Sequence, residues 1–132
     1  MPPAPPQTPE GPDPRRIGAF RLGLRAETRA AWWLRLKGYR ILARRARFSR
    51  GEIDLIARRG STIAIVEVKA RASVAAAIEA VTPAARRRIV AAAGQWLARN
   101  PAFAGCGVRF DIIALAPRRL PVHIASAFTA DP

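Results

Sequence analysis

Hydrophobic and polar residues alternate with period two through Glu52-Ile53-Asp54-Leu55 and again through Val66-Glu67-Val68-Lys69, as expected where side chains leave a strand on alternate faces. Strands are predicted over Tyr39 to Ala46, Glu52 to Arg58 and Thr62 to Arg71, the last rich in Ile and Val. The turn-forming residues Ser49-Arg50-Gly51 and Gly60-Ser61 separate them. Upstream the period changes. Phe20, Leu24, Trp33, Leu34 and Leu36, set among good helix formers, predict an amphipathic helix over Ala19 to Lys37 that stops at Gly38. Downstream, residues 74 to 80 suit a short helix, and Pro83 to Asn100 a longer one with proline in its first turn. Val108 to Ala116 reads as a fourth strand with Phe110, Ile112 and Ala114 on one face, and Val122 to Phe128 as a fifth. The order αβββαβ, without internal repeat, predicts an α/β domain with a central mixed sheet flanked by helices.

Length bounds this picture to one domain, since 132 residues, 50% of them apolar, fill a single core. Residues 1 to 14 hold seven of the twelve prolines and nothing that builds a core, so a disordered or polyproline-like arm is expected there and the folded domain over 15 to 132. The start lacks the charged and apolar regions of a signal peptide, and no run of about 18 apolar residues offers a membrane span. A soluble cytoplasmic protein is expected. The single cysteine, Cys106, has no disulfide partner in the chain and cannot hold a structural zinc alone, and the lone His123 reads as a packing or surface residue. The three tryptophans, Trp32, Trp33 and Trp96, fall within helices and read as packing residues, with Phe48 the better candidate for stacking on a base.

Charge changes the picture most. Lys and Arg number 23 against nine acids, a formal net charge of +14, which calls for a polyanionic partner: nucleic acid first and an anionic membrane surface second. Arg44, Arg45, Arg47, Arg50, Arg58 and Arg59 form an expected basic rim, extended by Arg86, Arg87 and Arg88 on the later helix.

The acids carry the candidate chemistry. If Gly60-Ser61 is a two-residue hairpin turn, Arg59 pairs with Thr62, Asp54 falls opposite Glu67 and Glu52 opposite Lys69. Asp54, Glu67 and Lys69 then emerge on one face, with Ile53, Leu55, Val66 and Val68 on the other. Opposed carboxylates repel unless a cation lies between them, and hard oxygen ligands suit Mg²⁺ or Mn²⁺. Lys69 would orient an attacking water or stabilise charge growing on phosphorus. The same residues equally make a solvated, salt-bridged sheet face, and register alone does not decide between the two.

Gly51-Glu52-Ile53-Asp54-Leu55-Ile56 and Val66-Glu67-Val68-Lys69-Ala70-Arg71 resemble the GEIDLI and VEVK-x-R signatures of the YraN-type family, small bacterial proteins expected to be endonucleases related to archaeal Holliday junction resolvases. Similarity extends from about Gly23 to Phe128, through Glu27 and Ala30, Gly38-Tyr39, and Arg109-Phe110-Asp111. The resemblance implies a restriction-endonuclease-like fold with Asp54 and Glu67 as metal ligands, Lys69 as the lysine of a PD-(D/E)XK site and Glu27 approaching the metal from the first helix. Arg50, Arg71, Arg86, Arg87 and Arg88 are the expected nucleic-acid contacts. Ile53 stands where the motif conventionally has proline, as is usual in this family, whereas Ala85 stands where a lysine is normal. Arginine nearby does not replace a group that must act as a point charge or give up a proton. The expectation is a metal-dependent endonuclease acting on DNA or structured nucleic acid. Its alternatives are a nuclease-fold protein that binds without cutting and a basic membrane-surface protein. A homodimer would suit junction cutting, and Asp111 is expected to be a structural charge partner on the fourth strand's polar face.

Overall fold

The computed structural model describes residues 14 to 130. The proline-rich arm expected over residues 1 to 14 lies outside them, apart from Pro14, which begins the first helix. The described elements run α1 (Pro14–Leu36), β1 (Arg40–Phe48), β2 (Gly51–Arg59), β3 (Thr62–Ala70), α2 (Val74–Ala80), α3 (Pro83–Arg99), a 3₁₀ turn at Pro101–Phe103, β4 (Gly107–Leu115) and β5 (Val122–Phe128). The five strands form one sheet in sequence order. β3 and β4 are parallel and the other neighbours antiparallel, which makes the sheet mixed, as expected of a restriction-endonuclease-like α/β core. None of the described helices is long and apolar enough to cross a membrane.

Local chemistry sets the element ends. Gly38 takes φ +89° after α1, while Gly38 N–H donates to the Arg35 carbonyl and Tyr39 N–H to the Leu34 carbonyl, both at 3.0 Å. This pair of bonds is the Schellman closure, and it wants glycine at the left-handed position. Ser73 and Thr82 accept from Ala76 N–H and Ala85 N–H to cap α2 and α3, and Pro83 occupies the first turn of α3. In the β2–β3 turn the positive φ falls on Gly60 and not Ser61, as a type II′ hairpin requires.

Two apolar layers cover the sheet. On one face Ala26, Ala30, Ala31 and Leu34 of α1 pack against Leu55, Ala57, Ala64, Val66, Val68, Ile113 and Leu115. The small residues at i, i+4 spacing bring the helix close to the strands. On the other, Ile89, Ala92, Ala93 and Trp96 of α3 meet Ile56, Ile63, Ile65, Phe110 and Ile112. Trimming the fully buried Leu34 to alanine is expected to cost about 2–5 kcal/mol.

Several expectations about apolar residues are corrected. Trp96 is buried and stacks on Phe103 at 5.4 Å, but Trp32 is 60% exposed and Leu36 79% exposed. Both lie on the side of α1 turned from the sheet, so helical membership did not entail burial. Phe20 lies in α1, and its side chain is outside what is described. Phe48 packs against the α3-side core, with the Arg99 guanidinium 5.2 Å from its ring centre, and is no open stacking platform.

Candidate active site

β2 and β3 pair in the register set by the Gly60-Ser61 turn, from Arg59 opposite Thr62 to Leu55 opposite Val66. The ladder stops one step short of Asp54 and Glu67. There the strands part, and the Asp54 carboxylate takes the place of a backbone partner by accepting from Val68 N–H at 2.8 Å. Glu52 opposite Lys69 is likewise not a ladder pair. β3 continues with β4 alone, Glu67 beside Ile112 and Lys69 beside Ala114.

Alternation on β2 breaks at the same level. Leu55 joins Val66 and Val68 under α1, as expected, but Ile53 belongs to the α3-side core. The opposing stretch of β1 holds Arg45 at φ +49°, between Arg44 opposite Leu55 and Ala46 opposite Ile53. A left-handed residue in a strand adds twist and re-aims its neighbours. Arg44 accordingly reaches Thr28 on α1 at 2.9 Å, and Arg45 lies 3.7 Å from Glu27.

The parting strands and α1 enclose an open cavity of about 610 Å³, with Glu27, Asp54, Glu67, Lys69, Arg45 and Arg71 in its wall. Burial, with the Asp54 carboxylate hydrogen-bonded to it and adding its charge, drives the Glu67 pKa far above the carboxylate range against the pull of Lys69. Glu27 rises to about 7 through burial first and the Asp54 charge second, partly offset by Arg45 and Arg44. Its Oε2 is buried without a hydrogen-bond partner. Glu52 is more open and balanced, 3.6 Å from Arg45 and 3.5 Å from Arg47. The cavity thus gathers three acids among lysine and arginine side chains, with Glu67 and Glu27 held toward their protonated forms by burial and by the Asp54 charge.

Among the described residues no three Asp, Glu, His or Cys side chains gather into a ready metal cage. The donor set is two carboxylates in hydrogen-bond contact and a nearby carboxylate oxygen without a partner. That set fits a hard divalent cation that takes one or two protein carboxylates and completes its shell with water and phosphate.

Of the expected site residues, Asp54, Glu67, Lys69, Glu27 and Arg71 line one cavity. Arg50 sits in the β1–β2 turn, its N–H donating to Gln95 on α3. Arg86 is engaged in holding the fold, its Nε donating to the Val81 carbonyl at 3.0 Å and its guanidinium lying 5.3 Å from the Phe128 ring centre. Arg87 and Arg88 are exposed on α3, and the Arg88 backbone approaches β2 so closely that a Cβ on Gly51 would lie 3.2 Å from its carbonyl oxygen. Arg58 and Arg59, expected on the basic rim, lie at the far end of β2. They are engaged with the Gly60 carbonyl and the Phe103 ring, and with the Lys37 carbonyl and the Tyr39 ring.

A second polar cluster escaped the sequence reading. Asp111 lies on no polar face: it is fully buried on the α1 side of β4, between Ile113 and the edge strand. Arg109 grips it with two bonds of 2.8 Å, His123 Nε2 lies 2.7 Å away and Ser126 N–H donates at 3.0 Å. Burial raises the Asp111 pKa, but the bonds from His123, Arg109 and Ser126 outweigh it and hold the group at about 2. The expected role as a charge partner holds, in a different setting. His123 is an internal connector, because Lys37 Nζ, which has only protons to give, donates to Nδ1 at 2.6 Å and leaves the ring proton on Nε2 for Asp111. The available signal was the antiparallel spacing that puts His123 opposite Ile113, two residues from Asp111.

A model of the uncharacterised protein family UPF0102 matches residues 26–115. A UPF0102 protein of Rhodopseudomonas palustris (strain HaA2) is 52% identical over 126 residues, 96% of this chain and 98% of its own length. The UPF0102 protein bll0669 of Bradyrhizobium diazoefficiens is 53% identical over 122 residues, 92% of each chain. A UPF0102 protein of Chelativorans sp. (strain BNC1) is 55% identical over 115 residues, 87% of this chain and 93% of its own. The site strands β2 and β3 and all of α3 lie inside the matched span.

Proposed function

The chain belongs to the uncharacterised protein family UPF0102, and from that premise we propose that it is a cytoplasmic metal-dependent endonuclease hydrolysing phosphodiesters of DNA or structured nucleic acid. The observation that carries this reading is the carboxylate pair of part-buried Asp54 and buried Glu67, with the unpartnered Glu27 Oε2 nearby, in an open cavity walled by Lys69 and arginines.

Asp54 and Glu67 would hold Mg²⁺ or Mn²⁺, with Glu27 reaching in from α1. Bound there, the cation supplies Lewis acidity toward a phosphodiester and makes water easier to deprotonate. The chain's own groups do the rest. The Val68 N–H bond pins the Asp54 carboxylate, so the acid does not have to be ordered when substrate arrives. Lys69, two residues beyond Glu67 on β3, places an ammonium where it orients the attacking water or meets charge building on the phosphate oxygens. Arg71 holds the backbone beside the scissile bond. In the metal-free protein Glu27, with its pKa at about 7, holds or releases a proton near neutral pH.

The test is cleavage of labelled duplex, single-stranded, branched and RNA substrates with Mg²⁺ or Mn²⁺, wild type beside the Asp54→Asn/Glu67→Gln double variant. Cutting by wild type, reduced at least about a hundredfold in the variant, is expected; equal cutting by the variant refutes the site. A divalent cation should also raise the thermal unfolding midpoint of wild type and not of the variant. A second reading, binding without turnover, is favoured by Ala85, whose N–H is spent on the Thr82 cap of α3 and whose methyl offers no charge. Binding without cutting under either metal would establish it.

A further inference from the structure

Arg25, Arg29 and Trp32 stand at i, i+4 and i+7 of α1, one row along the helix, and all three are exposed. The opposite side of the helix, Ala26, Ala30, Ala31 and Leu34, is spent on the sheet. Arg25 and Arg29 also line the carboxylate cavity, and Arg29 continues with Arg71 into the adjoining hollow. Trp32 lies about 10 Å beyond Arg25 along the helix axis, its indole 60% exposed with the Arg35 guanidinium 5.0 Å from the ring centre. The only acid of α1, Glu27, is buried, so every described charge on this outer face is positive.

We infer that the outer face of α1 binds an unpaired polynucleotide strand, with Arg25 and Arg29 on its phosphates and Trp32 stacked on a base. The inference rests on the nuclease reading above and names the substrate class for that site: nucleic acid with a single-stranded segment next to the phosphate to be cut. A wide indole beside cations is the combination that holds single strands, because every base presents a π-face once unstacked, whereas a duplex keeps those faces covered. Charge decides against a second copy of the chain, since an isologous contact through this face would set Arg25, Arg29 and Arg35 against their own equivalents.

The experiment measures binding of a labelled oligo-dT and of a length-matched duplex by fluorescence anisotropy, without divalent metal, for wild type, Trp32→Ala, Trp32→Phe and Arg25→Ala/Arg29→Ala. Circular dichroism verifies the fold of each, and sedimentation gives its mass. Trp32→Ala is expected to weaken oligo-dT binding about tenfold or more while leaving duplex binding little changed, and Trp32→Phe to retain most of the affinity. The double arginine variant should weaken both and flatten the salt dependence. Unaltered oligo-dT affinity in Trp32→Ala overturns this inference and leaves the nuclease reading standing, whereas wild type that binds neither probe overturns both. Loss of a dimer in Trp32→Ala without loss of affinity would assign the face to self-association and also overturn it.

Discussion

Glu67 and Asp111 are buried acids on neighbouring parallel strands, one register step apart, since Asp111 pairs with Val66 and Ile112 with Glu67. Their surroundings are opposite. Asp111 has donors from a guanidinium, an imidazole and a backbone N–H, and its pKa falls to about 2. Glu67 shares a hydrogen bond with the Asp54 carboxylate, feels the opposing charge of Lys69 on the same strand, and is pushed up. A buried charge that is fully paired and bonded is part of the scaffold; one left under-compensated is kept at the cost of stability and waits for a cation. Asp111 ties the β5 edge and the C-terminal end of α1 to β4, while Glu67 and Asp54 face a cavity.

The widest separation between the two acids should come from removing one partner of each. Arg109→Ala leaves Asp111 charged and buried, and is expected to cost about 3–5 kcal/mol of stability in urea unfolding. Glu67→Gln relieves the carboxylate pair and should be neutral or stabilising by about 1 kcal/mol in the absence of divalent cation. Equal destabilisation by both would erase the distinction.

pH separates them next, with opposite signs. An acid with a raised folded pKa binds its proton more tightly when folded. Glu27, raised from 4.5 to about 7, therefore contributes stability that is full below pH 4.5 and is lost as pH climbs to about 7. Asp111, lowered from 3.8 to about 2, contributes stability that is full above pH 3.8 and is lost as pH falls toward 2. Each is worth on the order of 2 kcal/mol. Metal-free protein should be most stable near pH 4; Glu27→Gln should flatten the alkaline decline and Asp111→Asn the acid one. An unchanged alkaline limb in Glu27→Gln would remove Glu27 from the under-compensated set.

The smallest effect concerns α3. Because Arg86 is engaged with Val81 and Phe128, two of the three expected arginines, Arg87 and Arg88, are open to phosphate. Replacing both with alanine should flatten the salt dependence of nucleic-acid binding by up to about two units of slope. An unchanged slope would place the polynucleotide wholly on the α1 side.

Much of this is legible in the amino-acid sequence. Apart from the start of α1, at Pro14 and not Ala19, the strand and helix boundaries fall within about two residues of those expected from period and punctuation, because caps, a glycine stop and a two-residue turn act over a few residues. The shared location of Asp54, Glu67 and Lys69 followed from the hairpin. Illegible were the roles of His123 and Trp32 and the burial of Asp111. Fourth-strand alternation marks Asp111 as opposite in face to Phe110 and Ile112, but not that the second face is also buried, by α1 and β5. Helical periodicity places Trp32 on a helix, but its side relative to the sheet depends on which neighbours the small residues Ala26 and Ala30 choose.

The sequence by itself determined the β2–β3 hairpin, its register and the residue types at the site, since turn geometry and period-two alternation are interactions between near neighbours in the chain. Only the tertiary structure decided where the ladder ends. That point depends on a left-handed Arg45 in β1, on β4 holding β3 in line, and on α1 closing the gap with Glu27. Those contacts join residues far apart in sequence, and whether a carboxylate is stabilised or left wanting a cation is settled by what such distant segments bring to it.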